Sequence, residues 1–299
     1  MAEQDETIGF VGLGAMGLPM ARNLVARGMA VRGFDMREAA VAALEIDGGL
    51  RAHSAAEAAH GADALILMVV SAAQAEQVLF DGGALDAMAP RGIVILMATC
   101  PPGAVERLAE RVLATQRRFV DAPVSGGVAG ATRAGLTIMA AAPADTFAAA
   151  KPVLDALGDK VFHVGERPGQ GAVVKTVNQL LAGVHIAVAA EAFSLAAKVG
   201  VNLDILLEIM SGSAASSWML RDRGPRMLQR DPPVASAVDI FVKDLGIVLD
   251  AGRETKAALP LAAVAHQLFL AASGRGEGAA DDSQVIRSYY AINGTSPPE

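Results

Sequence analysis

The stretch IGFVGLGAMGLPMARNL, residues 8–24, joins a short apolar run to three closely spaced glycines and an alanine-containing continuation. The run predicts a buried strand and the continuation a helix, with Gly12, Gly14 and Gly17 between them in a G-x-G-x-x-G pattern. The first glycine permits a tight turn, the second lets the backbone approach a pyrophosphate at the positive helix end, and the third lets helix and strand pack closely. A plain strand-to-helix turn is the alternative, because a chain with 31 glycines forms such triplets by chance.

A second predicted strand, Val31–Phe34, is followed directly by Asp35. An acidic residue at this distance past the glycines accepts hydrogen bonds from the adenine ribose hydroxyls of a dinucleotide. Its charge repels a 2′-phosphate, so NAD is predicted rather than NADP. Arg37 could grip such a phosphate, but we expect it to be a solvated first-turn residue. The predicted cofactor contacts at this end of the chain are Gly12, Leu13, Gly14, Ala15, Met16, Gly17 and Asp35.

Strand-like and helix-like segments alternate along the first half of the chain. Such alternation produces βαβ units and a parallel sheet, and runs that are apolar throughout are typical of strands covered on both faces. The predicted strands are Thr7–Val11, Val31–Phe34, Ala64–Val69, Ile93–Met97, Phe119–Ala122, Thr137–Ala141 and Lys160–Val164. Beyond the turn cluster GERPGQG the predicted elements are all helices: Ala172–Val199, Asp204–Ser211, Ser216–Gln229, Val238–Thr255 and Pro260–Ser273.

The sequence therefore predicts the α/β class, with a Rossmann-like, doubly wound, mainly parallel sheet domain followed by an all-α domain. We place the NAD-binding domain at residues 1–165 and the helical domain at residues 166–299, since 299 residues suffice for two hydrophobic cores.

Composition narrows the range of partners. A net charge of −7 disfavours nucleic acid, whose phosphates require clustered Lys and Arg, but allows a small anionic substrate in a local cationic pocket. The single cysteine, Cys100, fits a reducing cytoplasm. The start MAEQDE lacks the pattern of a secretory signal, and the longest apolar stretch, Leu180–Ala190, is too short for a membrane span. The five histidines lack metal-ligand spacing, so no metal is expected.

Four blocks in order resemble the β-hydroxyacid dehydrogenase family, which includes 3-hydroxyisobutyrate, tartronate semialdehyde and 6-phosphogluconate enzymes. The first is the glycine stretch at residues 8–24, and the second is DAPVSGGVAGATRAGLTIMA at residues 121–140. The third is GQGAVVKTVNQLL at residues 169–181, and the fourth is FVKDLGIVLD at residues 241–250. The resemblance implies hydride transfer from a small hydroxy acid to NAD, and a homodimer or homotetramer whose contacts form through the helical domain.

The resemblance also implies particular residue roles. Lys175 is the catalytic lysine and Asn178 its neighbour on the helix, while Thr99 lies near the nicotinamide and Lys243 closes over the cofactor. Three residues bind the substrate carboxylate: Ser125, Gly126 and Gly127. The family often has Ser-Thr where this chain has Ala98-Thr99, and Asn-Asn where it has Asn178-Gln179. Because Thr99 and Asn178 are retained, we expect a change of substrate shape and the same chemistry.

Spacing agrees with these roles. Lys175, Asn178 and Gln179 stand at i, i+3 and i+4, so they share one face of a helix. Oxidation of a hydroxyl needs a group that takes its proton, and a lysine suits if burial and cationic neighbours lower its pKa. A lone lysine on a helix is usually solvated, and a Ser-Gly-Gly sequence is often only a turn. The apolar flanks Val174 and Val177 favour the catalytic reading.

Within the family, three stretches are most similar to the branch that oxidises L-threonate at carbon 2. They are residues 178–198, 211–228 and 240–254. Ser213, Ser216 and Ser217 offer hydroxyls to a polyol acid if they face the substrate, and otherwise cap a helix or face water. The cluster Arg221, Arg223 and Arg226 is expected to be mostly solvated. The alternatives are 3-hydroxyisobutyrate or 2-hydroxy-3-oxopropionate as substrate, a silent NAD-sensing protein, and an imine reductase, which lacks the lysine.

Overall fold

The computed structural model of the chain describes residues 7–295. The segments MAEQDE and SPPE lie outside the described residues. The expectation about a secretory signal concerns MAEQDE and therefore also falls outside them. The chain forms two compact units, which divide between Lys175 and Thr176, ten residues beyond the predicted domain boundary.

The first unit is built on a nine-stranded sheet within the described residues, in the order β3-β2-β1-β4-β5-β6-β8-β7, with β9 added beside β8. The strands from β3 to β6 are all parallel, whereas β8 runs antiparallel to β6 and β7. The order 3-2-1-4-5-6 is that of a doubly wound dinucleotide-binding fold. The strands are Thr7–Val11, Ala30–Phe34, Leu50–Arg51, Ala64–Leu67, Ile93–Leu96, Arg118–Asp121, Val124–Ser125, Thr137–Ala141 and Lys160–Gly165, numbered β1 to β9.

All seven predicted strands are confirmed to within two residues, and the predicted fold class is confirmed with them. The sequence missed β3 and β7, because two residues carry too little periodicity to be recognised. Eight helices connect the strands: Gly17–Ala26, Glu38–Ile46, Ala55–Ala59, Ala72–Glu76, Ala84–Ala87, Pro102–Leu113, Gly127–Thr132 and Ala144–Leu157, numbered α1 to α8.

The central strands are covered on both faces. Along β4, Ile66 packs into one hydrophobic cluster, while Leu65 and Leu67 pack into another, and β5 divides its side chains in the same way. Because successive side chains of a strand point to opposite faces, apolar residues are needed at every position, which explains the continuous apolar runs.

The second unit contains helices within the described residues, with no strand assigned there. They are Gln170–Lys198, Leu203–Gly212, Trp218–Met227, Val238–Thr255, Pro260–Ala272 and Ile286–Asn293, numbered α9 to α14, and the first turns of α9 belong to the first unit. The sequence missed α14. Helix α9 has 29 residues and confirms the predicted helix Ala172–Val199 to within two residues, with Leu180–Ala190 in its interior. By length and composition it is the one described helix that could cross a membrane, and half of its most apolar window is buried.

A buried ion cluster fastens α11 to the segment before α14. The guanidinium of Arg223 donates from Nε and Nη2 to both carboxylate oxygens of Asp282, at 3.0 and 2.8 Å. Arg226 donates from Nε to Asp281 at 3.0 Å. Arg223 is 6% exposed and Asp282 fully buried, so the expectation of a solvated arginine cluster was wrong for Arg223 and Arg226. Hydrogen bonds to acidic side chains replace those that the guanidinium groups would make to water. These partners lie 55 or more residues away in the sequence, so no local pattern predicts them.

Removing one partner of this cluster should destabilise the second unit. We expect Asp282→Ala to lower its free energy of unfolding by about 3 kcal/mol, because the buried Arg223 loses its two-oxygen partner and keeps only Asp222 as a counter-charge. Trp218, the only tryptophan, lies on α11 and reports unfolding of this unit by fluorescence in urea. The control is Asp250→Ala, which removes an exposed partner of Arg253 and should cost less than about 1 kcal/mol. Equal losses for the two variants would contradict the expectation.

Candidate functional site

The glycine loop has the geometry that its pattern requires. Gly12 follows β1 with φ of +97°, and a Cβ there would lie 2.5 Å from the carbonyl oxygen of Met68. A Cβ at Gly17 would lie 1.8 Å from the oxygen of Gly12, so the start of α1 packs directly on the turn. A Cβ at Gly14 would meet only the Arg37 guanidinium, at 3.8 Å. The backbone at Gly14 is therefore open to a ligand, at the amino-terminal end of a helix that favours phosphate.

Asp35, directly after β2, is bound to this loop. Its Oδ2 accepts a hydrogen bond from the backbone N–H of Leu13 at 2.8 Å, and its Oδ1 accepts from the N–H and Nε of Arg37 at 2.8 and 3.1 Å. Partial burial acts to raise the pKa of Asp35, but these hydrogen bonds and the Arg37 charge outweigh it, so the pKa lies below its ordinary value. A carboxylate is therefore maintained directly after β2, beside the glycine loop.

Arg37 is exposed as expected, but its guanidinium forms hydrogen bonds within the protein. Besides the contact with Asp35, its Nη2 donates to the carbonyl oxygen of Leu13 at 3.1 Å. The arginine thus holds the carboxylate and the glycine loop together, which differs from the phosphate-gripping alternative. With the open backbone at Gly14, these contacts fit a dinucleotide without a 2′-phosphate.

The predicted carboxylate-binding residues form a tight turn that begins at Ser125, the last residue of β7. Gly126 and Gly127 have φ of +132° and +59°, a conformation that residues with a Cβ rarely adopt, and α7 begins at Gly127. Ser125 and both glycines are half-buried. Asn23 on α1 donates from Nδ2 to the carbonyl oxygen of Ala131 on α7 at 2.6 Å. This link between α1 and the helix that follows the Ser-Gly-Gly turn was not predicted.

Asp121, the last residue of β6, caps the helix that carries Lys175. Its Oδ2 accepts hydrogen bonds from the backbone N–H groups of Gly169 and Ala172, each at 2.9 Å. A Cβ at Gly171 would lie 2.5 Å from the oxygen of Met139, so glycine is needed for this approach. Asp121 begins the second of the blocks that resemble the family, but no role was predicted for it. A residue whose partners lie 48 and 51 positions away leaves no local signal.

Lys175 follows this cap by one helical turn and is only 7% exposed. The alternative of a solvated surface lysine is therefore wrong. Thr99, three residues beyond β5, is half-buried and is followed by the buried Cys100. Lys175 and Thr99 both lie in the first unit, as do the glycine loop, Asp35 and the Ser-Gly-Gly turn.

In the second unit, α9 and α12 are joined by polar side chains. Asn178 donates from Nδ2 to Oε1 of Gln179 at 2.8 Å, and Gln179 donates from Nε2 to Oδ2 of Asp244. Lys243 forms an ion pair with Oδ1 of Asp244 at 2.7 Å. Gln179 and Asp244 are 8% and 2% exposed, respectively. The structure thus brings Asn178 into the same network as Lys243, through two residues to which the sequence analysis gave no function.

The serines expected to face a polyol substrate have local partners instead. Ser217 caps α11 by accepting from the N–H of Leu220 at 3.0 Å. Ser213 donates to the oxygen of Met210, and Ser216 donates to the oxygen of Ser211. The helix-capping alternative is the one observed, because each hydroxyl completes a backbone group at a helix end.

A doubly wound sheet with a glycine loop before α1 and an acidic residue after β2 is typical of a dinucleotide-dependent dehydrogenase. Two family models cover the chain. Residues 7–165 match the NAD binding domain of 6-phosphogluconate dehydrogenase. Residues 169–289 match the NAD-binding domain of NADP-dependent 3-hydroxyisobutyrate dehydrogenase.

Whole-length relatives agree. The chain is 45% identical to the L-threonate dehydrogenase of Cupriavidus necator, over 95% of this chain and 96% of that protein. It is 39% identical to the L-threonate dehydrogenase of Escherichia coli K12, over 95% of each. A crystal structure of a 3-hydroxyisobutyrate dehydrogenase from Salmonella typhimurium superposes with a TM-score of 0.91 at 42% identity, over 95% of this chain and 99% of that one. The chain belongs to the β-hydroxyacid dehydrogenase family and is an NAD-dependent dehydrogenase of hydroxy acids.

Burial of Asp121 should make stability depend on pH. Burial raises its pKa to about 6 from 3.8, although the backbone N–H groups of Ala172, Gly169 and Gly171 act in the opposite direction. The folded protein therefore holds this proton more tightly than the unfolded chain. The resulting stabilisation is complete below about pH 4 and is lost as the pH rises through about 6, for a total of about 3 kcal/mol.

Asp121→Asn supplies a reference without this titration. We expect the unfolding free energy of the wild type, relative to this variant, to fall as the pH rises from about 4 to 7. Urea unfolding followed by circular dichroism at several pH values measures the difference. A difference that stays constant with pH would show that Asp121 does not titrate in this range.

Proposed function

We propose that the protein oxidises L-threonate at carbon 2 to 2-dehydro-L-erythronate, with NAD as acceptor. The carrying observation is the whole-length identity of 45% to the Cupriavidus necator L-threonate dehydrogenase, which extends through both units. The nicotinamide, when bound, accepts the hydride. The remaining tasks fall to the protein: holding the carboxylate, orienting the hydroxyl and taking its proton.

Lys175 takes the hydroxyl proton as the hydride leaves carbon 2, and Asn178 orients that hydroxyl. Burial of Lys175 supports this role, since a lysine shielded from water is costly to keep unless it has a task. The carboxylate is held by Ser125, Gly126 and Gly127, where two positive φ angles leave the backbone open to an anion. The loss of a hydride and a proton turns the carbinol into a ketone, and the proton passes from Lys175 to solvent.

The cofactor residues of the proposal follow the sequence prediction. Asp35 accepts from the adenine ribose, the open backbone around Gly14 faces the pyrophosphate, and Thr99 lies near the nicotinamide. Lys243 is the member of the proposed cofactor-binding set that belongs to the helical domain. The full set is Gly12, Leu13, Gly14, Ala15, Met16, Gly17, Asp35, Thr99 and Lys243.

A second candidate substrate is 3-hydroxyisobutyrate. The observation that favours it is local bonding of Ser213, Ser216 and Ser217, which weakens the case for a hydroxyl-lined pocket. The Salmonella typhimurium structure described as a 3-hydroxyisobutyrate dehydrogenase adds to it. A silent NAD-sensing protein is disfavoured, because it has no use for a buried lysine behind a capped helix.

The proposal extends to the setting of the reaction. We place the protein in the cytoplasm, because a chain whose single cysteine, Cys100, is free fits a reducing compartment. We assign substrate contacts and self-association to the helical domain, as a homodimer or homotetramer. Its exposed apolar side chains, such as Leu181, Val188 and Leu195 on α9, support this assignment. Light scattering at micromolar concentration checks it, and a monomer would contradict it.

Lys175→Ala tests the core of the proposal. We expect the rate of NADH formation at saturating substrates to fall by about 10²–10⁴-fold, because general-base catalysis is lost, while NAD binding is retained. The matched control is Lys151→Ala, which removes an exposed lysine paired with Asp155 on α8 and should leave the rate unchanged. Wild-type turnover in purified Lys175→Ala would overturn the assignment.

The substrate is decided by comparing two acids. We expect kcat/KM for L-threonate to exceed that for 3-hydroxyisobutyrate, because the whole-length relatives of 45% and 39% identity are L-threonate dehydrogenases. Where a site bonds hydroxyls that the analogue lacks, such a ratio reaches about 10⁴. NADH absorbance measures both values. Parity, or a preference for 3-hydroxyisobutyrate, would discard the threonate assignment and leave the family assignment in place.

A further inference from the structure

In the network that joins α9 to α12, each side chain has a fixed role as hydrogen-bond donor or acceptor toward the next. An ionised carboxylate only accepts hydrogen bonds, whereas an amide side chain presents a donor on one side and an acceptor on the other. Asp244 is such a carboxylate, because it is buried and paired with the ammonium of Lys243 at 2.7 Å. Whichever group of Gln179 faces Asp244 must therefore be its NH₂ group, as observed.

This requirement passes on to Asn178. Since the NH₂ group of Gln179 faces Asp244, the oxygen Oε1 is left for its other neighbour. Asn178 must then present its own NH₂ group to Gln179, and it does so at 2.8 Å. The carbonyl oxygen Oδ1 of Asn178 is consequently turned away from Gln179. We call this chain of hydrogen bonds from Asn178 through Gln179 to Asp244 the relay. Without it, the amide of Asn178 could rotate by half a turn and exchange its donor for its acceptor.

We propose that Gln179 and Asp244 are positioning residues, which fix the amide of Asn178 so that its Oδ1 is the group offered to the substrate hydroxyl. This inference rests on the proposed role of Asn178 in the reaction. An acceptor at that position draws the hydroxyl hydrogen into one direction before it is removed. A flipped amide would offer an N–H group instead and compete for the hydroxyl oxygen.

The relay also accounts for the departure of this chain from the family's frequent Asn-Asn pair. Gln179 is one methylene longer than asparagine, and it spans from α9 to a carboxylate 65 residues further along the chain. Both of its polar ends are used within the network. A residue that only filled space at this buried position would need neither end.

The primary test is Gln179→Met, which keeps the length of the side chain and removes both polar ends while leaving the Asp244–Lys243 pair intact. We expect kcat for hydroxy-acid oxidation to fall by about 10²-fold, as a misplaced orienting group does. The KM for NAD and the Kd of NADH, measured by fluorescence titration, should not change. Asp250→Asn on the exposed face of α12 is the control and should match the wild type.

A double variant distinguishes direction from packing. Gln179→Glu places two carboxylates against each other, and we expect a loss of kcat at least as large as with methionine. Adding Asp244→Asn supplies a donor to the new carboxylate at position 179, which can then accept from the amides on both sides, so the orientation of Asn178 is restored. We expect kcat to recover about tenfold over the single Gln179→Glu variant, in a double-mutant cycle of the usual form. Saturating NAD is used, because Lys243 loses its charged partner.

The outcomes separate the two levels of the proposal. Wild-type kcat in Gln179→Met, together with a large loss in Asn178→Ala, overturns the relay and leaves the proposed function standing. A folded double variant, judged by its Tm, that is no more active than Gln179→Glu also overturns the relay. Wild-type kcat in Asn178→Ala overturns both the relay and the role of Asn178. If Gln179→Met does not fold, the double variant alone decides.

Discussion

The hydrogen bonds from Gly169 and Ala172 to the buried carboxylate of Asp121 are the contacts on which the position of Lys175 depends. They fix the start of a 29-residue helix against the end of β6. A helix start carries unsatisfied N–H groups and a partial positive charge. A carboxylate accepts hydrogen bonds from the N–H groups and is attracted by the charge. Lys175 stands one turn further on, so its position is set by a contact made by other residues.

The same contact explains where the compact units divide. Ala172 packs into the core of the sheet, and the first turns of α9 therefore belong to the first unit. Sequence patterns place the change from strands to helices near residue 165, which is where the last strand ends. They cannot show that a helix is shared, because helical periodicity is the same on either side of Lys175.

Much of the fold could be predicted because its signals are local. The glycine loop, the apolar runs and Asp35 after β2 each lie within a few residues of the element that they define, and the structure has them where they were expected. The contacts that the sequence did not reveal join distant segments. Asp121 meets Gly169, Arg223 meets Asp282, and Gln179 meets Asp244. No periodicity connects such pairs, so they follow only from the folded chain.

The contact between Asp35 and Arg37 has a consequence for how cofactor preference could change during evolution. The carboxylate holds the N–H of Leu13, and the arginine holds both the carboxylate and the carbonyl oxygen of Leu13. Loss of Asp35 alone would deprive the loop backbone and the guanidinium of an acceptor at once. Substitutions at positions 35 and 37 would therefore be coupled, and replacement of Asp35 alone would loosen the glycine loop. Selection for the phosphorylated cofactor would have to remove the charge of Asp35 and still supply an acceptor for the N–H of Leu13.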